Sequence, residues 1–354
     1  MKHLKLKKLS SAMLFIAILS MVAMTSCKDD APVVVPTDYA ALNAKIVEAE
    51  NLIATTEEGT AEGQYPRGSK DLLQDAIDGS KLIAADETAT QAEVDNTVIG
   101  LQEKMDEYTA GAIVPIDPDN LAGHWTFTEG SGTTVADYSG NGFDGTFQTG
   151  LATFGSGNPA WTTDRYGNAN GAIEFTDGGW IEVPYNAALN PSEITVSVWV
   201  KANVLGGRFM GLHSWLGYKF EVPDHGKPFF TANTIDGIWD NDAGISIVAD
   251  EWIHLAVTYG GGNMTFYIDG DLAVAIPRTS NMVPVAAGNN LAIGVETSKF
   301  ADSDANYGDE LHPDYQIIPA AWASIYNGSL DELRIYKAAL SATQIKSIYD
   351  VEKP

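Results

Sequence analysis

The sequence predicts a multidomain chain in which a three-helix bundle precedes an all-β jelly-roll sandwich. Three observations carry this. Apolar residues recur at helical spacing over residues 38–110. Beyond residue 120 the pattern changes to short strand-like runs separated by Gly, Asn and Asp clusters. Between them, residues 111–120 hold Pro115 and Pro118 and have no period, which marks a linker.

Residues 1–26 open with Lys2, Lys5, Lys7 and Lys8 and continue through an apolar run over 12–24, the pattern of a secretory leader too short to span a bilayer comfortably. Cys27 is the single cysteine, so it has no intramolecular disulfide partner. Its place after Met-Thr-Ser resembles a bacterial lipobox, which implies lipidation at Cys27. Lys28-Asp29-Asp30 is similar to the acidic export signal of surface lipoproteins in the Bacteroidota, which implies display on the outer membrane of a Gram-negative cell. The formal net charge of -26 opposes nucleic acid and anionic lipid as partners. Residues 27–37, with three valines between prolines, read as an extended tether.

In the bundle, residues 38–110, the expected core positions are Leu42, Ile46, Ala49 and Ile53, then Leu72, Leu73, Ala76, Ile77 and Ile83, then Val94, Val98, Leu101 and Met105. Ser69 is the expected N-cap of the second helix, and Thr90 with Glu93 forms a capping box for the third. The segment Gly-Gln-Tyr-Pro-Arg-Gly-Ser over 63–69, with the helices around it, resembles the FIVAR-type modules of bacterial surface proteins. That resemblance implies a spacer or adhesion role, with Tyr65 packed on the bundle.

In residues 121–354, strand-like runs cover 173–183, 194–201, 252–259, 264–268 and 272–276, and Asp269-Gly270 suits a type I′ hairpin turn. In the second run Ile194, Val196, Val198 and Val200 form a dry face, and Thr195, Ser197, Trp199 and Lys201 a polar one. Ser341 and Gln344 form the capping box of a terminal helix. Trp125, Phe175, Trp252, Tyr267 and Tyr336 lie inside strand motifs and are assigned to the core, and His254 to a satisfied polar position.

Two segments suggest a metal. Residues 137–145, Asp-Tyr-Ser-Gly-Asn-Gly-Phe-Asp-Gly, combine flexible glycines with oxygen donors, suiting either a hard-cation loop or a turn between strands. Asp331 shares strand parity with Leu333 and Ile335, so it is expected to face the core, where a cation, a basic residue or the strand end must relieve its charge. These segments, with residues 121–132, 252–259, 266–270 and 330–336 in the same order, resemble the laminin-G-like branch of the concanavalin A-like lectin/glucanase superfamily. The resemblance implies a structural Ca2+ near Asp137, Asn141, Gly142, Gly145 and Asp331.

That fold hosts lectins, adhesion modules and glycosidases alike, so function rests on the loops. Residues 208–239 and 296–327 are rich in aromatic, Gly and Asp residues, and His213, Trp215, Trp239, Trp322 and Tyr326 are the expected carbohydrate contacts, stacking on or hydrogen-bonding a sugar. No Glu-x-Asp-x-x-Glu run, Gly-x-Ser-x-Gly elbow or His-Glu-x-x-His motif is present. The expected function is therefore glycan or polysaccharide binding by a surface lipoprotein, not catalysis. A protein-binding adhesion module and a divergent glycosidase are the alternatives.

Overall fold

The computed structural model describes residues 36–150, 155–213, 216–295, 310–312, 315–316 and 325–354. The leader, Cys27, most of the tether, Trp215 and Trp322 lie outside the described residues.

Helices α1 (Ala40–Thr55), α2 (Ser69–Ala84) and α3 (Gln91–Ala110) form the bundle. Leu42, Ile46, Ala49, Leu73, Ile77, Val94, Leu101 and Met105 make its core, as the helical spacing requires. Leu72 departs from expectation and is 72% exposed, because the next residue, Leu73, holds the buried position of that turn. The capping box of Thr90 and Glu93 forms. Ser69 does not cap α2: Gly68, at φ 86, takes the N-cap position and Ser69 becomes the first helical residue. Tyr65 lies flat on Tyr108, ring centroids 4.3 Å apart, so it serves packing as expected.

The β part is two packed antiparallel sheets. The first runs β14 (Asp271–Pro277), β13 (Asn263–Ile268), β12 (Ile253–Gly260), β7 (Ile194–Ala202), β18 (Gly328–Tyr336), β5 (Ala172–Phe175) and β4 (Ala160–Thr162), with β1 (Leu121–Trp125) also on β18. The second runs β11 (Gly237–Asp242), β10 (Phe229–Thr234), β9 (Tyr218–Val222), β8 (Gly207–Leu212), β15 (Leu291–Ile293), β6 (Trp180–Val183), β3 (Gly145–Gln148) and β2 (Thr134–Val135). β16 (Glu310–His312) and β17 (Tyr315–Gln316) pair separately. The core lies between the sheets, where Val196, Val198 and Val200 join Phe209, Phe220, Phe230, Leu330 and Leu333.

The run over 173–183 is two strands rather than one. Asp177 at φ 49 and Gly178 at φ 76 turn the chain, placing β5 in the first sheet and β6 in the second. The turn at Asp269 (φ 52) and Gly270 (φ 76) has the two positive φ values of type I′. The polar side of β7 is not open to water: Thr195, Ser197 and Trp199 are at most 2% exposed. Helix α4 (Ala342–Glu352), entered through the Ser341–Gln344 capping box, covers it, with Tyr349 stacked on Trp199.

A bulge in β18 decides the fate of Asp331. Glu332 sits at φ 52 and the pairing with β7 slips between Asp331 and Arg334. Side-chain parity therefore reverses there. Leu330, Leu333 and Ile335 face the core, and Asp331, expected among them, faces the α4 side beside Trp199.

Candidate functional site

Strands β9 to β11 alternate in side-chain direction. Tyr218, Phe220, Phe230 and Ala232 point inward, so Lys219, Glu221, Phe229, Thr231, Asn233, Ile238, Asp240 and Asp242 lie on the outer face of the second sheet. The register sets Glu221, Phe229 and Asp242 in one row across three strands, and Lys219, Thr231 and Asp240 in the next. Rows on one face lie about 7 Å apart and neighbouring strands about 4.8 Å apart, so the patch is the size of one or two sugar rings.

The inner half of this face is ionic and covered. Glu221 accepts from Arg208 Nε at 2.6 Å and from Lys219 Nζ at 2.7 Å, and the three residues are at most 8% exposed. Buried charges require such pairing. Toward β11 the face opens. Asp240 and Ile238 are exposed, and Asp242 and Phe229 are half-buried. Thr231 Oγ1 donates to Asp240 at 2.5 Å, Gly244 N donates to Asp242 at 2.7 Å, and Lys219 Nζ sits 4.9 Å from the Phe229 ring centre. Asp240 and Asp242 are thus strand residues on one face. The alternation Tyr-Lys-Phe-Glu-Val over 218–222 was the available signal for this face.

Among the described residues, the expected carbohydrate contacts His213, Trp239 and Tyr326 do not form an open binding face. Tyr326 is corrected outright: it is 1% exposed, packed between Phe175 and Phe209, with its hydroxyl donated to Ser329 O at 3.1 Å. Trp239 points to the core side of β11 opposite Ala232, and the Arg278 guanidinium covers its ring at 4.2 Å, so it is not an open platform. His213, at φ 57, is 8% exposed, and burial pushes its imidazole down to about 4, leaving it neutral at pH 7. Trp215 and Trp322 lie outside the described residues.

The expected calcium set does not fit a cation shared by loop and closing strand. Asp137 already accepts from four donors: His124 N (2.9 Å), Ser139 N (2.9 Å), Ser139 Oγ (2.7 Å) and Phe143 N (3.0 Å). Asn141 Nδ2 donates to the carbonyls of Leu121 and Ala122, both at 3.0 Å. Gly142 is a turn residue at φ 77, and a Cβ on Gly145 would meet Ile181 at 2.6 Å, so that glycine serves close packing. Asp331 is ion-paired with Arg165, which supplies the basic partner its burial demands.

Arg165 anchors a larger network beneath α4. Its Nε donates to Glu352 O at 2.8 Å, Tyr166 Oη donates to the same carbonyl at 2.6 Å, and Trp199 Nε1 donates to the Glu352 carboxylate at 2.9 Å. Arg334 pairs with Glu352 and donates to Glu332 at 2.8 Å, and His124 meets Glu332 at 2.7 Å. Burial pushes the Asp331 carboxyl up to about 7 against the pull of Arg165. Although burial opposes its charge, Arg165 is held cationic by Asp331 and Glu352. His254 beneath α4 is pushed down to about 3 by burial, so it is neutral; its Nε2 bonds Ser197 at 2.8 Å, but its Nδ1 is buried without a partner, so the satisfied position expected for it is only half met.

Two antiparallel sheets with a polar outer face and a covering terminal helix define a lectin-like jelly roll. The chain belongs to the concanavalin A-like lectin/glucanases superfamily, whose sequence profile matches residues 170–346. No curated protein matches the chain. Among solved structures it is similar to domain 4 of AbnA, a GH43 extracellular arabinanase from Geobacillus stearothermophilus in complex with arabinotriose (20% identity, TM-score 0.47, covering 65% of this chain and 98% of that one). It is also similar to the binding domain of Paraclostridial Mosquitocidal Protein 1 (16% identity, TM-score 0.46, 66% of this chain and 52% of that one). A third is botulinum neurotoxin type C, whose cell entry is dependent upon interaction with two ganglioside molecules (14% identity, TM-score 0.45, covering 66% of this chain and 51% of that one). The chain thus spans about half the length of the two toxin chains. These likenesses are of fold alone.

Proposed function

We propose that the β domain binds a glycan or polysaccharide without catalysis, on the outer face of the second sheet near β11. One observation carries this reading: rigid strands present the half-buried Phe229 ring in one row with Glu221 and Asp242, and beside the Thr231–Asp240 pair. A sugar's C–H face stacks on an aromatic ring while its hydroxyls find carboxylate and hydroxyl partners, which is the chemistry this patch supplies. The carboxylates are engaged as acceptors: Glu221 with two cations, Asp240 with Thr231, Asp242 with a backbone N–H. That arrangement supports binding over glycoside hydrolysis, which needs one free acid and one free base or nucleophile.

A glycan array on the chain, followed by titration of each hit, tests the reading. The expected affinity is about -4 to -8 kcal/mol, and Phe229→Ala should remove roughly 1 to 3 kcal/mol of it with the fold unchanged. No binding across a broad array, or normal binding by Phe229→Ala together with Asp240→Asn, would refute it. A protein-adhesion reading draws on the exposed Leu216, Ile235 and Ile238 beside the same strands, and a host-matrix protein panel distinguishes it.

We further propose that the chain is anchored through Cys27 and displayed on the outer membrane, on the motifs of residues 12–30. Cys27→Ala should release it from the membrane fraction, and replacing Asp29 and Asp30 should keep lipidation but abolish protease accessibility on intact cells.

A further inference from the structure

Residues 111–116, the first part of the linker expected over 111–120, are bonded on both sides. Ile113 N donates to Gln64 O at 2.8 Å and Gly63 N donates to Ile113 O at 3.0 Å, which ties Ile113 to the α1–α2 connection. The next residue turns to the other domain: Val114 N donates to Ser347 Oγ of α4 at 3.0 Å. Pro115 O then accepts from Gln344 Nε2 at 2.8 Å, and Ile116 packs against the cluster of Ile345, Ile348 and Tyr336. Consecutive linker residues thus fasten first to the helical module, at Ile113, and then to the sandwich, at Val114, Pro115 and Ile116.

Gln344 is the informative residue. Its Oε1 accepts from Ser341 N at 2.9 Å as the second half of the α4 capping box, and its Nε2 reaches the linker. A capping box works with either glutamate or glutamine, but only glutamine carries the N–H that a carbonyl can accept. The bond to Ser341 N also fixes which end of the amide is oxygen.

We propose that α4 is a docking surface for residues 114–116, and that Gln344 and Ser347 clamp the helical module to the sandwich as a rigid arm. Unclamped, a six-residue segment with no regular structure leaves two domains free to reorient. Clamped, the module fixes the direction in which the β11 face points. The interface is built from this chain's own residues and does not depend on what the β11 face binds.

The test is the distance distribution between spin labels on cysteines introduced at the exposed Leu82 of α2 and Leu272 of β14, in the full chain with Cys27→Ser. The parent should give one narrow peak. Gln344→Glu keeps the capping box but sets a carboxylate against the Pro115 carbonyl, so at pH 8 the single narrow peak should be lost. Toward pH 4 a growing share of the carboxyl group of this variant is protonated and regains a donor toward the carbonyl, so the narrow peak should return in part. Should Gln344→Glu disturb α4 by circular dichroism, Ser347→Ala with Gln344→Ala provides the second measurement and should broaden the peak at both pH values. A broad parent distribution, or a narrow one in both variants at pH 8, would overturn the clamp.

Discussion

Arg165→Met isolates the charge of Arg165, because methionine keeps much of the apolar stem and removes the guanidinium. Asp331 is 1% exposed and its cationic partner is this guanidinium, so the variant leaves a buried carboxylate alone. Removing one member of a buried pair costs about 3 to 5 kcal/mol. For a domain of this size that corresponds to a fall of roughly 6 to 20 °C in melting temperature. The pH dependence gives the sharper test. In the parent, Asp331 stands at about 7 in the folded state, above the ordinary carboxyl value. The native form then holds a proton that the unfolded chain has released, so this group's contribution to stability falls as pH rises from the carboxyl range to about 7. In Arg165→Met the pull of the guanidinium is gone and the folded value rises further. Below about 7 both native proteins carry a neutral Asp331, and the difference between them should shrink toward about 1.5 to 3 kcal/mol for the lost charge-assisted Arg165–Glu352 hydrogen bond. At pH 9 the full loss should be seen, and adding Asp331→Asn should recover most of it. Thermal melts followed by circular dichroism at pH 5 and pH 9 supply both numbers. Equal losses at the two pH values, or no recovery in the double variant, would show that packing rather than charge explains the effect.

Other outcomes follow from the same geometry. Gly145→Ala should destabilise the sandwich by about 1 to 3 kcal/mol, because its Cβ would meet Ile181 and Val135 at 2.6 and 2.8 Å; urea melts measure it, and a neutral result would mean that β3 shifts freely. Chelation should leave the melting temperature unchanged, since Asp137 and Asp331 already have protein partners, whereas a drop in chelated protein would restore calcium to the 137–145 loop. Thr90→Ala should cost the bundle about 0.5 to 2 kcal/mol by breaking its capping box, read from the helical signal on heating.

The organisation of the chain was legible because its signals are local. The helical stripes of α1 and α3, the Thr90–Glu93 and Ser341–Gln344 boxes and the Asp269–Gly270 turn each depend on residues within about four positions. The sandwich itself was legible in strand alternation. Its candidate face was not. Phe229 and Asp242 are thirteen residues apart, and nothing short of the β10–β11 register shows that they are opposite each other. The aromatic residues that composition favoured went elsewhere, Tyr326 into the core and Trp239 under Arg278, because an aromatic ring suits a dry interior as well as a sugar.

Sequence alone therefore determined a helical part followed by a β-sandwich, the capped starts of α3 and α4 and one hairpin, since backbone hydrogen bonding and apolar spacing act over a few residues. Tertiary structure decided the rest. One residue at positive φ, Glu332, reversed the parity of β18 and sent Asp331 from the predicted core face to Arg165, a partner 166 positions away. It also laid α4 over the polar side of β7 and turned a linker into a clamp. A buried charge must find its counter-charge, but the sequence states only the need, and long-range strand pairing chooses the partner.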